Sequence, residues 1–339
     1  VSQVDGEGPD PALVRFVERS GLFAPDAAPR WAPLTGGVAS DIWTVAAGGR
    51  TIAVKKALAR LRVARDWRAP VSRNASEVAW LRQAHAIVPG AVPEVLAHDP
   101  AIGAFAMTYL EPADHPVWKR ELAGGRADPD FAAAVGRTIA RIHAATGGDA
   151  AVAAGFSNDA VFHAIRLEPY LEATAGRHPD LAGPLTALSR ETLATKRALV
   201  HGDVSPKNIL VGPAGPVLLD AECAWYGDPA FDLAFCLNHL LLKSLWVPAA
   251  RDGFARCFSA LAGAYLATAG AEPPDDVERR AARLLPALFL ARIDGKSPVE
   301  YVTEEADRDR VRRVARPLVA EPPARLSDIA DRWYEDLRA

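Results

Sequence analysis

The sequence predicts an α+β chain, strand-rich in its first third and helix-rich beyond, and three observations predict it. β-branched runs broken by turn residues fill the stretch from about residue 31 to 110. Past Glu111 and Pro112, apolar residues recur at spacings of three and four. The length of 339 residues exceeds what one ordinary core holds, so a two-lobed or two-domain body is expected.

In the first third, the runs 42–45 and 51–55 flank the turn-rich 46–50 and read as a hairpin. A helix should follow after a loop, capped by Ser72 or Asn74 and running to about Ile87. Further strands are expected at 92–98 and 105–110, on either side of a turn at 99–103. Helices are then predicted over 131–145, 161–175, 181–195, 231–246, 254–268, 277–293 and 306–319. A β-like island at 199–219 interrupts them, with a second hairpin around 212–216. An Ala/Gly-rich connection is expected at 146–155, and no internal repeat is seen.

Half the residues are hydrophobic and 24% are charged, as in folded globular domains. The formal net charge of -3 supplies no basic field to hold a nucleic-acid backbone, so no nucleic acid is expected. The three cysteines, Cys223, Cys236 and Cys257, form neither a paired framework nor a C-x-x-C, which fits a reducing, cytoplasmic setting. The most apolar stretch, 231–246, is interrupted by Asp232, Asn238, His239 and Lys243, which argues against a membrane span. Near the N-terminus, Asp5, Glu7 and Asp10 lie among Gly and Pro, so no secretory signal is expected there.

The strongest chemical signal is the run His201-Gly-Asp-Val-Ser-Pro-Lys-Asn208, which sets a carboxylate five residues before an amide. That spacing suits an Asp that orients a hydroxyl and an Asn whose carbonyl oxygen reaches magnesium; a polar turn closed by an Asx bond is the plain alternative. Asp220 ends an apolar run twelve residues later and offers a second hard oxygen, and Mg²⁺ takes only one or two ligands from protein. Lys55 closes a strand and can meet nucleotide phosphates, with Glu77 on the following helix as its partner or as a solvated carboxylate. Gly36, Gly37 and Ser40 stand where backbone N–H groups could approach phosphate, or where a plain hairpin would turn.

The ordered set Gly36-Gly37, Lys55, Glu77, His201-Gly-Asp203, Asn208 and Asp220 resembles the aminoglycoside phosphotransferase and choline kinase superfamily. The resemblance spans nearly the whole chain. It implies a bilobal protein-kinase-like fold, with a five-stranded antiparallel N-lobe at 1–108, a hinge at 109–113 and a mainly helical C-lobe at 114–339. It also implies ATP and Mg²⁺, with Asp203 as the catalytic carboxylate, Asn208 and Asp220 at the metal, and Thr108 and Leu110 beside the adenine. Asp220-Ala-Glu222 replaces Asp-Phe-Gly as in the small-molecule branch, Asp232 is expected to brace the catalytic loop, and no Ala-Pro-Glu segment follows to dock a polypeptide.

The acceptor is therefore expected to be a small hydroxylated molecule such as a sugar or amino alcohol, met by a monomer or weak dimer. An antibiotic-resistance kinase and a silent nucleotide-binding pseudokinase are the alternatives. Candidate acceptor residues are Glu222, Trp225, Tyr226, Asp228, His239 and Arg292, each of which has a packing role as its alternative. Arg292 with Val299 and Glu300 is loosely similar to a stretch in methylthioribose kinase-like members. The mixed charges of this wall lean toward a neutral or zwitterionic metabolite. Lys207 is expected to be a surface charge.

Overall fold

The computed structural model describes residues 8–34, 40–58, 73–268, 270 and 272–339. Five strands, β1 (Arg30–Pro33), β2 (Ser40–Ala47), β3 (Arg50–Ala57), β4 (Val95–Asp99) and β5 (Ala104–Thr108), form one antiparallel sheet in the order β1-β2-β3-β5-β4. The β2–β3 hairpin closes at Gly48 and Gly49, both at positive φ (58° and 77°), which a two-residue turn matching strand twist requires. One face of the sheet is covered by α1 (Pro11–Arg19), whose Leu13, Phe16 and Val17 pack on Trp43, Val45, Ile52 and Val54. The other face meets α2 (Arg73–Ile87). Buried Val78, Trp80, Leu81 and Phe105 there join the same core as the helical part, so the two halves share apolar packing.

The helical part comprises α3 (Trp118–Ala123), α4 (Pro129–Thr146), α5 (Ala150–Gly155), α6 (Asp159–Phe162), a π-helix (His163–Glu172), α7 (Ala173–Arg177) and α8 (Ala182–Ala194). After the island come α9 (Ala230–Trp246), α10 (Arg251–Leu266), α11 (Pro274–Asp294), α12 (Glu305–Ala320) and α13 (Leu326–Arg338). The island holds β6 (Ala198–Val200), β7 (Ile209–Gly212), β8 (Gly215–Leu218) and β9 (Trp225–Gly227), paired β6–β9 and β7–β8. This is the α+β arrangement expected from the sequence.

Three expectations are corrected. The connection at 146–155 contains α5, because Asp149 caps it by accepting from Ala151 N (2.8 Å) and Val152 N (3.0 Å) ahead of an Ala-rich turn. The helix expected at 161–175 is three segments, and its middle is a π-helix containing Pro169; proline has no N–H for the regular α ladder, and the wider turn accommodates the gap. Asn74 lies inside α2 rather than capping it, and Ser72 falls outside the described residues. Among the described residues no helix is long and apolar enough to cross a membrane.

Candidate active site

The loop after β6 carries His201, Gly202 and Asp203. Asp232, fully buried in the first turn of α9, accepts from His201 N (2.7 Å) and Gly202 N (2.8 Å) through its two oxygens. His143 Nε2 meets the same carboxylate at 3.2 Å, and its Nδ1 meets the Tyr265 hydroxyl at 2.8 Å. The His201 ring accepts from Asp203 N at Nδ1 (3.1 Å) and donates from Nε2 to the Leu219 carbonyl (3.1 Å), which requires the neutral Nε2–H form. Burial pushes its pKa down in the same sense. Trp80 of α2 packs edge-on against this ring at 4.7 Å, tying the first lobe to the loop. Gly202 sits at φ 80°, and a Cβ there would come within 2.8 Å of the Cys223 carbonyl and 2.9 Å of its Cβ, so this position admits only glycine.

Asp203 is held from two sides. Arg166 Nη2 lies 2.9 Å and Lys207 Nζ 3.2 Å from its Oδ2. Arg166 comes from the π-helix, and it is fixed by donating to the Gly202 carbonyl (2.5 Å) and the Ile165 carbonyl (2.7 Å). Burial alone would raise the Asp203 pKa, but the Arg166 and Lys207 charges hold it below the usual carboxylate range. Lys207 is thus not merely a surface charge: its side chain is 55% exposed, yet its ammonium pairs with the loop carboxylate.

The second group gathers three remote segments. Lys55 Nζ of β3 lies 2.8 Å from Glu77 Oε1 of α2 and 2.5 Å from Asp220 Oδ1. Lys56, on the opposite strand face, pairs with Asp10 instead. Asp220 follows β8 rather than ending it. Its φ of 67° is the single positive value for a non-glycine among the described residues. Burial opposes its ionisation, but Lys55 and Lys207 pull its pKa well below the ordinary value. Burial pushes the Glu77 carboxyl up to about 7 despite Lys55, while the flanking acids hold Lys55 firmly protonated. Asn208 donates its amide to the Asp203 carbonyl (3.1 Å), and its own backbone carbonyl accepts from Leu219 N (2.9 Å), the residue before Asp220.

Other sequence candidates fall in different places. Glu222 pairs with Arg73 of α2 (2.9 Å), and its charge also acts on Lys55. Trp225 is fully buried, donating to Asp159 (2.7 Å) and stacking on Phe162. Tyr226 donates its hydroxyl to the Arg197 carbonyl (3.0 Å). Asp228 pairs with Arg280 (3.0 Å) and receives Ala230 N (3.0 Å). These last three side chains are engaged by structural partners and are not brought to the Asp203 group. A surface cavity of about 530 Å³ between α8 and α11 is lined by Asp228, Arg280 and Glu191, and by none of Lys55, Asp203, Asn208 or Asp220. Arg292 donates to Tyr170 Oη (3.0 Å) and the Ser297 carbonyl (2.5 Å). Ser40 is buried at the start of β2, Thr108 accepts from Glu94 N (3.0 Å) at the end of β5, and Leu110 is half-buried just beyond. Gly36 and Gly37 lie outside the described residues.

Residues 30–270 match the family model described as the phosphotransferase enzyme family, APH. The chain belongs to that family. Among its curated relatives, a methylthioribose kinase of Pectobacterium carotovorum is 26% identical over 227 residues, 59% of this chain and 56% of that protein. One from Yersinia pseudotuberculosis is 24% identical over 228 residues, 60% of this chain and 56% of that protein. The chain thus matches little more than half the length of these curated relatives. Among solved structures, a choline/ethanolamine kinase family protein from Mesorhizobium loti superposes with a TM-score of 0.52 at 17% identity, over 96% of this chain and 99% of that one. An ethanolamine kinase from Plasmodium vivax gives 0.53 at 11%, over 100% and 91%. These likenesses establish the shared bilobal fold.

Within this phosphotransferase family member, sequence reasoning missed Arg166, Arg73 and the pairing of Lys207. Arg166 lies in a stretch that reads as an ordinary amphipathic helix, and nothing local marks its guanidinium as facing a loop 37 residues on. The local sign that could have marked this segment is Pro169, which stands inside the helix expected at 161–175.

Proposed function

We propose that the chain is an ATP-dependent phosphotransferase that moves a γ-phosphoryl group onto the hydroxyl of a small molecule. The observation that carries this reading is Lys55 Nζ held between Glu77 (2.8 Å) and Asp220 (2.5 Å), side chains from three segments far apart in sequence. An ammonium fixed in this way is a point charge aimed at phosphate oxygens. The donor set also suits magnesium: one carboxylate kept ionised and one amide oxygen, since that ion takes few protein ligands. Asp220 and Asn208 would hold it, and when bound it would neutralise phosphate charge.

Asp203 does the proton work. Its carboxylate orients the acceptor hydroxyl and takes the proton as the oxygen attacks phosphorus, forming a new O–P bond while the β–γ bridging P–O bond breaks and ADP leaves. Arg166 and Lys207 keep Asp203 ionised and in place, and Asp232 fixes the loop beneath it. The hinge at 109–113 divides the lobes, with Thr108 and Leu110 at the adenine. Glu222, paired to Arg73, belongs to the phosphate side in this reading.

The test is Asp203→Asn. Binding of ATP with Mg²⁺ should persist, and ADP release across a panel of sugars, amino alcohols and hydroxy acids should vanish relative to the unaltered chain. Preserved turnover in the variant overturns the role of Asp203. An unaltered chain that binds ATP but phosphorylates nothing in the panel favours a nucleotide sensor instead.

A further inference from the structure

We propose that the acceptor side of the cleft binds an anionic group, a carboxylate or phosphate carried by the hydroxylated acceptor, with Lys243 and Arg292 as its ligands. This deepens the phosphotransferase reading and rests on it for the word acceptor, though not for the anion site itself. The site continues directly from Asp203. Arg166 lies over the Tyr170 ring at 6.0 Å and the Phe235 ring at 5.7 Å, and the Tyr170 hydroxyl meets Arg292 at 3.0 Å. Phe235, His239, Lys243 and Trp246 follow one another at helical spacing along one face of α9.

Two features point to an anion. First, cations collect here without compensation. Lys243 is 1% exposed, and among the described residues it has no ion pair or hydrogen bond; Glu300, the carboxylate that acts on it, is paired with Lys119 at the surface. Arg292 Nε and the Tyr301 hydroxyl are buried without partners, and buried donors normally find one. Burial and the surrounding Arg292, Lys243, Lys207 and Lys119 keep the His239 ring neutral. Burial, with Lys119 and Arg292 nearby, brings the Lys243 ammonium down to about 7, a repulsion that an anion would relieve.

Second, the aromatic pair that could receive a cationic acceptor already holds one. Trp246 and Tyr301 stack at 4.5 Å and 12°, and Lys243 Nζ lies 4.2 Å and 3.8 Å from their centroids. The Lys243 amine therefore occupies the aromatic face that a choline-like or aminoglycoside-like cation would need, and excludes it. Within the neutral or zwitterionic range expected from the mixed charges of the sequence, this wall favours an acceptor that carries an anionic group. The nearby acids do not offset these cations: Glu222 and Asp228 are turned to Arg73 and Arg280, and Asp294, two residues beyond Arg292, is paired with Arg312.

The experiment is calorimetric titration of inorganic phosphate and, separately, acetate into the intact chain with its nucleotide cleft filled by AMP-PNP and Mg²⁺. Two buffers of different ionisation enthalpy are used near pH 7.5. At least one anion should bind, acetate with proton uptake by Lys243, and Lys243→Met and Arg292→Met should each weaken that binding tenfold or more. Lys243→Gln serves as a second variant if Lys243→Met fails to fold. Binding of phosphate alone assigns a phosphoryl-bearing acceptor, and of acetate alone a carboxylate-bearing one. Neither anion binding above a chloride control, variants binding as well as the parent, or tetramethylammonium binding in their place overturns the proposal. AMP-PNP affinity is read separately: its loss beside intact Lys243-dependent anion binding fails the nucleotide reading and spares this one.

Discussion

The Arg166 guanidinium stands 2.9 Å from the Asp203 carboxylate and also donates to the carbonyl of Gly202, the residue just before it. One side chain therefore sets both the charge and the position of the proposed base. Because the Arg166 cation favours the ionised carboxyl, removing it should let protons compete at higher pH. Arg166→Met should lower kcat/KM by about 10- to 100-fold and move the acid limb of its pH profile upward by about one unit. A pH–rate profile of the variant checks both. The pair's share of stability is complete above about pH 4, the unfolded carboxylate value, and is lost as pH falls through the depressed folded value.

Lys55 and Asp220 should fail differently. Lys55→Met should lower kcat/KM by about 100-fold at any magnesium concentration, since it removes the ammonium proposed to meet the phosphates. Asp220→Asn keeps a side chain suited to the positive φ, so the fold should persist while the magnesium required for half-maximal AMP-PNP binding rises about tenfold or more. Magnesium titrations of nucleotide affinity distinguish the two.

Asp232 receives two backbone N–H groups with its two oxygens. In Asp232→Asn one of those donors would face an amide N–H₂, costing about 1–3 kcal/mol. Urea denaturation should show that loss, and kcat should fall more than the KM for ATP changes, because the loop rather than the nucleotide pocket is disturbed.

Lys243 should destabilise the unliganded protein. An unfolded lysine takes up its proton near pH 10.4, whereas this one, held down by burial, does so only near 7. Stability therefore falls as pH drops from about 10 to about 7, and Lys243→Met should be more stable than the parent at pH 7 by about 1–3 kcal/mol. The gain should disappear above about pH 10. Denaturation at the two pH values measures it.

The elements governed by local rules were legible in the sequence. The β2–β3 hairpin announced itself through Gly48-Gly49, and α4, α9 and α11 through helical periodicity. The helix α13 carries the same signal in Leu326, Ile329, Ala330, Trp333 and Leu337 but was not anticipated, nor were α1 and α3. At the candidate site, Lys55, Glu77 and Asp220 were nameable from their spacing, and the structure brings these three together. Residues whose role depends on tertiary placement were not. Arg166 acts through a π-helix, Trp225 and Tyr226 are aromatic in a loop-rich stretch yet buried, and Lys243 faces inward from a helix whose buried face runs almost all round. For a helix of that kind periodicity cannot say which side meets the cleft.

The missing methyl at Gly202 links two segments that are distant in the text. With Cys223 pressed against that position, a larger residue in the loop of Asp203 would collide with the turn leading to β9. The shape of the one stretch therefore depends on the other. Clearing Cys223 alone would not admit a side chain at Gly202, because its φ of 80° would still strain one.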